Sequence, residues 1–176
     1  VLSLCQKGLD ATIARPAFVY GPRSTYGVNL FIKLIIEGKL RVMIGNGENY
    51  IYPVHAHDVA NALLIIAHRG KTGESYNIAN EKPVKLKDFT NLIAKYTGIK
   101  VKYGLPPLLA RLLLGLRGKG IGGSSVNETI MLFTKNWFYE ISKLRELGWK
   151  QTIPLNQGLK ETIEWLLKHK VLNVLE

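Results

Sequence analysis

Cysteine is nearly absent: Cys5 stands alone among 176 residues, so no internal disulfide can brace the fold. Apolar runs stay well short of the roughly 18 residues needed to cross a bilayer, and no secretory signal is visible. Repeats and low-complexity tracts are missing too. These absences make a reducing cytoplasm the expected compartment. Acidic residues are scarce: thirteen Asp and Glu face twenty-four Lys and Arg, for a net charge of +11. That balance favours anionic partners such as a nucleotide cofactor, a phosphorylated substrate, a membrane surface or nucleic acid. The basic residues are spread along the chain with no aromatic side chains interleaved among them, which argues against nucleic acid.

Apolar residues make up 47% of the chain, enough to bury a core of one domain or part of a larger one. Residues 1–9 read as the last turns of a helix closed by Gly8, so the chain opens in the middle of an element and is expected to be a fragment. Asp10 to Ala14 form a strand that Pro16, lacking an N–H, is expected to end in a turn. Leu30–Gly38 is an amphipathic helix, Arg41–Ile44 a short strand, and Gly45–Asn49 a turn. Ile51–Ala56 reads as a strand, with Asp58 expected to cap the helix Val59–His68. A strand at Ser75–Ile78, a helix at Lys85–Tyr96 ended by Gly98, and a strand at Lys100–Tyr103 follow. Leu108–Leu116, the most apolar run, is expected to be buried or to line a pocket, with a membrane interface as the alternative. Met131–Glu140 is aromatic-rich and reads as core, Ser142 as the cap of a short helix, and Leu155–Lys170 as a final amphipathic helix behind Pro154. Strands and helices alternating at this spacing argue for an α/β fold.

Chemistry has few local footholds. Gly118, Gly120 and Gly123 satisfy G-x-G-x-x-G, but an apolar helix precedes them where the dinucleotide fingerprint needs a strand. His55 and His57 alternate and are expected to share a strand face, yet too few further His or Cys accompany them to hold a metal. Cys5 has no evident activating base, and no Ser/His/Asp order marks a hydrolase.

Four segments together carry a resemblance: Arg15-Pro-Ala-Phe-Val-Tyr-Gly-Pro-Arg23, Val54-His-Ala-His-Asp-Val-Ala60, Gly73-Glu-Ser-Tyr-Asn-Ile-Ala79, and Ile141-Ser-Lys-Leu-Arg-Glu-Leu-Gly-Trp-Lys150 followed by Pro154-Leu-Asn-Gln-Gly-Leu-Lys-Glu-Thr-Ile-Glu-Trp-Leu166. In this order they resemble the C-terminal half of an extended short-chain dehydrogenase/reductase, the superfamily of NAD(P)-dependent epimerases, dehydratases and reductases. The resemblance implies the later part of a Rossmann-like parallel sheet plus a small α/β substrate-binding domain. Residues 1–28 would end the Rossmann domain, 29–48 would be an insertion of the substrate lobe, 49–80 a Rossmann-associated strand-helix-strand, and 81–176 the C-terminal substrate-binding lobe. The family's glycine-rich turn, its catalytic Tyr-x-x-x-Lys and its helper Ser or Thr lie earlier in such proteins, so the resemblance assigns no catalytic residue to this chain. It implies NAD or NADP as cofactor, with Pro16, Ala17, Phe18 and Val19 against the nicotinamide carboxamide. Tyr20, Arg23, Asn29 and Ile51 would face substrate.

Two departures bear on that substrate. Enzymes of nucleotide-diphosphate sugars commonly carry Asn where this chain has Phe18, and an Arg that grips the diphosphate where it has Ile51. An isoleucine cannot replace a bidentate guanidinium. The closest patterns are those of dihydroflavonol reductase-like and 3β-hydroxysteroid dehydrogenase-like members, with hopanoid-associated sugar epimerases resembling the tail. The expected parent is an oxidoreductase, epimerase or dehydratase, homodimeric, moving hydride to or from a hydroxyl or carbonyl of a sugar or lipid-like alcohol. The chain by itself is expected to be inactive, without metal or nucleic acid and with membrane-surface contact a minor alternative. The competing reading is a non-catalytic cofactor-binding or scaffold relative of the same fold.

Overall fold

The computed structural model describes residues 1–116, 118, 120–121 and 124–169. Helix α1 (Leu2–Cys5) is followed by β1 (Ile13–Pro16), β2 (Phe18–Tyr20), α2 (Val28–Ile36), β3 (Val42–Ile44), β4 (Tyr50–Ile51) and β5 (Pro53–His55). Then come α3 (Ala56–Arg69), β6 (Ser75–Ile78), β7 (Val84–Lys85), α4 (Leu86–Thr97) and β8 (Lys102–Leu105). The chain continues through α5 (Pro107–Leu116), α6 (Val126–Thr134), α7 (Ser142–Glu146) and α8 (Leu155–Lys168).

The chain does not turn at Pro16. Residues 13–20 form one extended ribbon whose first half pairs in parallel with β6, Pro16 opposite Ile78, and whose second half pairs in parallel with β5, Tyr20 opposite His55. The N–H groups of Ile13 and Ala17 donate to the carbonyls of Glu74 and Ile78. Alternate residues of a parallel strand bond the same neighbour, so the Pro16 nitrogen faces away from β6 and its missing hydrogen removes no ladder bond. The turn comes later, at Gly21, where φ is 152° and a Cβ would sit 3.0 Å from that of Ala56. Because β5 and β6 both run parallel to the ribbon, β5–α3–β6 is a parallel crossover of the kind that builds doubly wound sheets.

A second set of pairings joins the rest: β3 lies parallel to β8 and β4 antiparallel to β7. Segments 1–28 and 49–80 therefore pair with each other, as do segments 29–51 and 84–105. Two apolar cores are present, and the ribbon contributes to both, Tyr20 to one and Ala14 and Ala17 to the edge of the other. One gathers Val54, Val59, Ala62, Ile66, Tyr76, Ile78 and Trp149 around α3; the other gathers Ile32, Ile35, Met43, Phe89, Ile93, Phe133, Leu159, Ile163 and Leu166 between α2, α4, α6 and α8.

Local chemistry explains several ends. Gly8, at φ 95°, closes the first helix as the sequence implied: Leu9 N–H donates to Leu4 O and Gly8 N–H to Cys5 O, the Schellman pairing. Gly98 ends α4 in the left-handed region. Ser125 and Glu128 form a reciprocal capping box on α6. Other expectations fail. Asp58 does not cap α3; the cap is His55, whose Nδ1 accepts from the His57 N–H, and strand β5 ends there, so His55 and His57 do not share a strand face. Asp58 instead lies buried inside the first turn. Its carboxylate accepts from the Thr152 N–H (2.9 Å), the Thr152 hydroxyl (2.6 Å) and the Ile153 N–H (3.1 Å), while its carbonyl accepts from the Trp149 indole at 3.1 Å. Helix α7 begins behind Ile141 with no side-chain cap; the Ser142 N–H itself donates to Glu140.

The eighth strand is displaced to Lys102–Leu105, and α5 shows its leucines to solvent instead of burying them. Gly123 and Lys170, at the ends of two sequence-based expectations, lie outside the described residues. Among the described residues no helix is long and apolar enough to cross a membrane.

Candidate functional site

Where the ribbon leaves β6 and joins β5, its side chains wall a cleft of about 740 Å³. Ala17, Phe18 and Val19 supply one side, together with Ile51 and Pro53 at the neighbouring strands. Thr129, Met131, Leu132 and Phe133 of α6 stand opposite, and the segment after α6 adds Trp137 and Tyr139. Phe18 sets its ring edge-on to Trp137 (centroids 5.9 Å apart) and to Tyr139 (6.5 Å). Deeper in, Phe31 stacks on Phe89 at 6.4 Å and tilts against Phe133 at 5.7 Å.

Backbone pairing fixes the aromatic segment. Trp137 N–H donates to the Tyr50 carbonyl at 2.9 Å, and Tyr50 N–H donates to Asn136 Oδ1 at 2.9 Å, so residues 136–137 lie along β4. Asn49 adds hydrogen bonds from its side-chain amide to the carbonyls of Leu132 and Lys135. The indole N–H of Trp137 is left buried in the cleft wall with no acceptor among the described residues. An unpaired buried donor costs about 1–3 kcal/mol.

The loop Gly45–Asn49 is a turn, as expected, and its carbonyls face the start of a helix. Gly47 O and Asn49 O accept from Lys87 and Leu86 N–H, capping the start of α4, while Glu48 pairs with Lys85 and Lys87. The sequence signal missed that helix N-terminus because it arrives from nearly forty residues downstream.

Of the sequence-predicted residues, Ala17, Phe18, Val19 and Ile51 line the cleft and the others do not. Tyr20 is buried behind the ribbon, its ring edge-on to His55 at 5.4 Å and its hydroxyl against Gly158 of α8. Burial first, then the charges of Asp58 and Glu161, hold its phenol well above the ordinary 10.0. Asn29 is fully buried, and its amide donates to the carbonyls of Gly21 (2.6 Å) and Ser24 (2.8 Å) while its oxygen accepts from Gly21 N–H. Its side chain shapes the loop after the ribbon. Arg23, exposed on that loop, has a φ of 69°, a left-handed conformation unusual for a side-chain-bearing residue.

Trp137, Tyr139, Phe31 and Phe89 complete the cleft although their sequence context reads only as core. No periodicity distinguishes an aromatic that fills a core from one that lines a cavity in it. The Tyr-x-x-x-Lys spacing itself occurs twice, at Tyr96–Lys100 and Tyr139–Lys143. Neither pair lies along one helix: the left-handed Gly98 interrupts the first, and the second runs from an irregular segment into α7, where Lys143 is paired with Glu74.

Charge inside the cleft is sparse. Glu128 is its only charged lining residue among the described residues, and the Ser125 N–H at 2.8 Å holds its carboxylate below the ordinary 4.5. Burial raises the Tyr139 phenol. Neither group is tuned toward neutral pH, so these walls are suited to binding and orienting an apolar molecule with a few polar atoms rather than to proton transfer.

Comparison with known proteins bears on the fold and the family. Residues 2–79 match the NAD dependent epimerase/dehydratase family. A trifunctional UDP-glucose 4,6-dehydratase/UDP-4-keto-6-deoxy-D-glucose 3,5-epimerase/UDP-4-keto-L-rhamnose-reductase of Arabidopsis thaliana is 26% identical over 90% of this chain and 21% of its own length. The 3beta-hydroxysteroid-dehydrogenase/decarboxylase isoform 1 of the same plant is 28% identical over 90% of this chain and 41% of its own. Among solved structures, the UDP-glucose 4-epimerase of Thermotoga maritima superposes with a TM-score of 0.65 at 27% identity, covering 93% of this chain and 48% of that one. The chain thus spans less than half the length of each of these relatives. With the family model matched over residues 2–79, relatives aligned along most of the remainder and a shared Rossmann-like α/β fold, the chain is similar to the NAD-dependent epimerases and dehydratases of the extended short-chain dehydrogenase/reductase type.

Proposed function

We propose that this chain provides the substrate side of the active cleft of an NAD(P)-dependent oxidoreductase or epimerase, and that its substrate is a lipid-like alcohol or ketone. Family relationship supports the cofactor class. The observation that carries the substrate class is the lining: Phe18, Ile51, Phe31, Met131, Phe133 and Trp137 form an aromatic and aliphatic wall with the single carboxylate of Glu128 and no cation. A nucleotide diphosphate needs cationic or N–H donors, and the positions where sugar-nucleotide enzymes of this superfamily commonly place them are Phe18 and Ile51. The Trp137 indole N–H, buried without an acceptor among the described residues, suits a single ligand oxygen. Among the relatives, the Arabidopsis enzyme is named for a hydroxysteroid, and a Stigmatella aurantiaca ketoreductase, 26% identical over 168 residues, for a farnesylated quinoline oxide.

In this reading the ribbon Pro16–Val19 lies beside the nicotinamide. The Ala17 N–H is held by Ile78, and the alternation of the ladder turns the Pro16 carbonyl away from β6, free to accept from a carboxamide. NAD(P), when bound, supplies the hydride chemistry. This chain's residues exclude water and orient the substrate carbon against it. The superfamily's sugar-nucleotide relatives favour a second reading, a sugar substrate gripped by groups other than those at positions 18 and 51.

Trp137 gives the test. Its emission should shift when a long-chain or polycyclic alcohol is titrated into the chain, and not with UDP-glucose; Phe18→Asn should weaken the alcohol response about tenfold. A response to UDP-glucose alone would establish the sugar reading, and no response to either would refute the cleft as a substrate site.

A further inference from the structure

Helix α5 is built inside out. Its only buried residue is Ala110, while Leu108, Leu112 and Leu116 are 80%, 61% and 80% exposed, and Leu109 and Leu113 are 44% and 48% exposed. At about 100° per residue these five leucines fan over an arc of roughly 140°, with Ala110 and Leu114 pointing the opposite way, toward the core. A helix packed on a soluble core normally shows the reverse polarity. Scattered single leucines on a surface need no explanation, but a contiguous leucine face does.

The charge along this part of the sequence has one sign. From Phe89 to Asn127 the sequence contains no Asp or Glu, whereas Lys95, Lys100, Lys102, Arg111, Arg117 and Lys119 all fall inside it. Arg111 sits on α5 itself, at the edge of the leucine arc, with its guanidinium bonded only to the neutral Asn127 side chain among the described residues. A protein partner with an apolar groove would explain the leucines without the cations, and a second copy of the chain would bring like charge against like. An apolar face that carries Arg111, in a stretch of sequence with six cations and no acid, matches a bilayer interface rich in anionic headgroups, where each basic residue adds to the attraction and long cationic side chains reach the headgroups.

We infer that α5 docks this chain on anionic membrane surfaces, its leucine face lying in the headgroup region and its basic neighbours on the phosphates. The helix is ten residues long, so it lies on the bilayer rather than crossing it. The inference rests on α5 and its surroundings and stands whether or not the cleft takes a lipid-like substrate. The two are adjacent, however: α6, which packs against α5, forms a wall of the cleft.

Flotation with unilamellar vesicles tests it, using phosphatidylcholine alone and phosphatidylcholine with about one-third phosphatidylglycerol. The 176-residue chain should float with the anionic vesicles and not with the neutral ones, and binding should fall at least tenfold between 50 mM and 500 mM salt. Leu112→Gln with Leu116→Gln should lower vesicle binding at least tenfold, with the circular dichroism spectrum and melting temperature unchanged because both side chains are exposed. Absence of anionic-vesicle binding overturns the inference, as does binding that the paired substitution leaves intact. A concentration-dependent dimer in light scattering, abolished by the same substitutions and accompanied by no vesicle binding, would assign the face to a second copy instead. Lipid-like ligands moving the Trp137 emission while vesicles fail to bind would leave the proposed function standing and this inference refuted.

Discussion

Replacing Asp58 by Ala separates two accounts of the same residue. As a simple helix-start charge at α3, Asp58 would contribute about 0.3–1 kcal/mol through the helix dipole, and Thr152 would be indifferent to it. The structure makes it the acceptor for two backbone N–H groups and one hydroxyl of residues 152–153, at 2.6 to 3.1 Å. Leaving a buried N–H without an acceptor costs about 1–3 kcal/mol. Thr152 is exposed and Ile153 half-buried, so water recovers part of that loss; the two N–H groups together give about 2–4 kcal/mol, set against a typical domain stability of about 5–15 kcal/mol. Urea denaturation followed by the emission of Trp149, whose indole N–H donates to the Asp58 carbonyl, reads the change beside the binding partners themselves. Thr152→Val alone should cost about 1 kcal/mol, and the double variant should show a coupling of at least about 0.5 kcal/mol. An Asp58→Ala loss below about 1 kcal/mol, or strict additivity with Thr152→Val, would refute the tether.

Gly158→Ala sets helix propensity against packing. Alanine in α8 is favoured over glycine by about 1 kcal/mol, but its methyl would lie 2.8 Å from the Tyr20 hydroxyl and 2.9 Å from the His55 ring. Both neighbours are buried, so a net loss of about 1–2 kcal/mol is expected, and a raised melting temperature would show that Tyr20 can retreat. His55 predicts a pH dependence: burial depresses its pKa below 6.5, outweighing the opposing pull of Glu161 and Asp58. The unfolded chain then binds the extra proton first, so stability is full above 6.5 and falls as the pH drops from there toward the depressed folded value. Denaturation midpoints at pH 7.5 and 5.5 should differ in the native chain and differ less in His55→Gln; equal slopes in both would place the effect elsewhere.

What the sequence disclosed was mostly what chemistry decides locally. Gly8 and Gly98 announced their helix ends because a left-handed cap depends only on neighbouring residues, and the alternation of strands and helices was enough for the α/β class. Pro16 misled because whether a proline harms a ladder depends on which side its nitrogen faces, a matter of partners in space. Asp58 has the composition of a cap, and its real partners lie more than ninety residues away. Phe18 and Ile51 did identify a wall of the cleft, whereas Tyr20 and Asn29, in the same ribbon and the next helix, turn inward to hold structure. The leucine run at α5 was conspicuous in composition. Its outward aim was not, because five leucines on one arc read the same whether that arc meets a core or water.

The tether between Asp58 and residues 152–153 also has a place in time. Its ends are 94 and 95 residues apart, so at roughly 5–20 residues per second a ribosome exposes Asp58 about 5–20 s before the groups that bond it. During that interval α3 and the ribbon can form, since β1, β2, β5 and β6 all precede residue 80. The carboxylate, however, waits solvated, and Tyr20 waits without the helix that covers it. Closure of α8 over Tyr20 and His55 therefore waits for the synthesis of residues 155–168, and the cleft acquires this backing only after them.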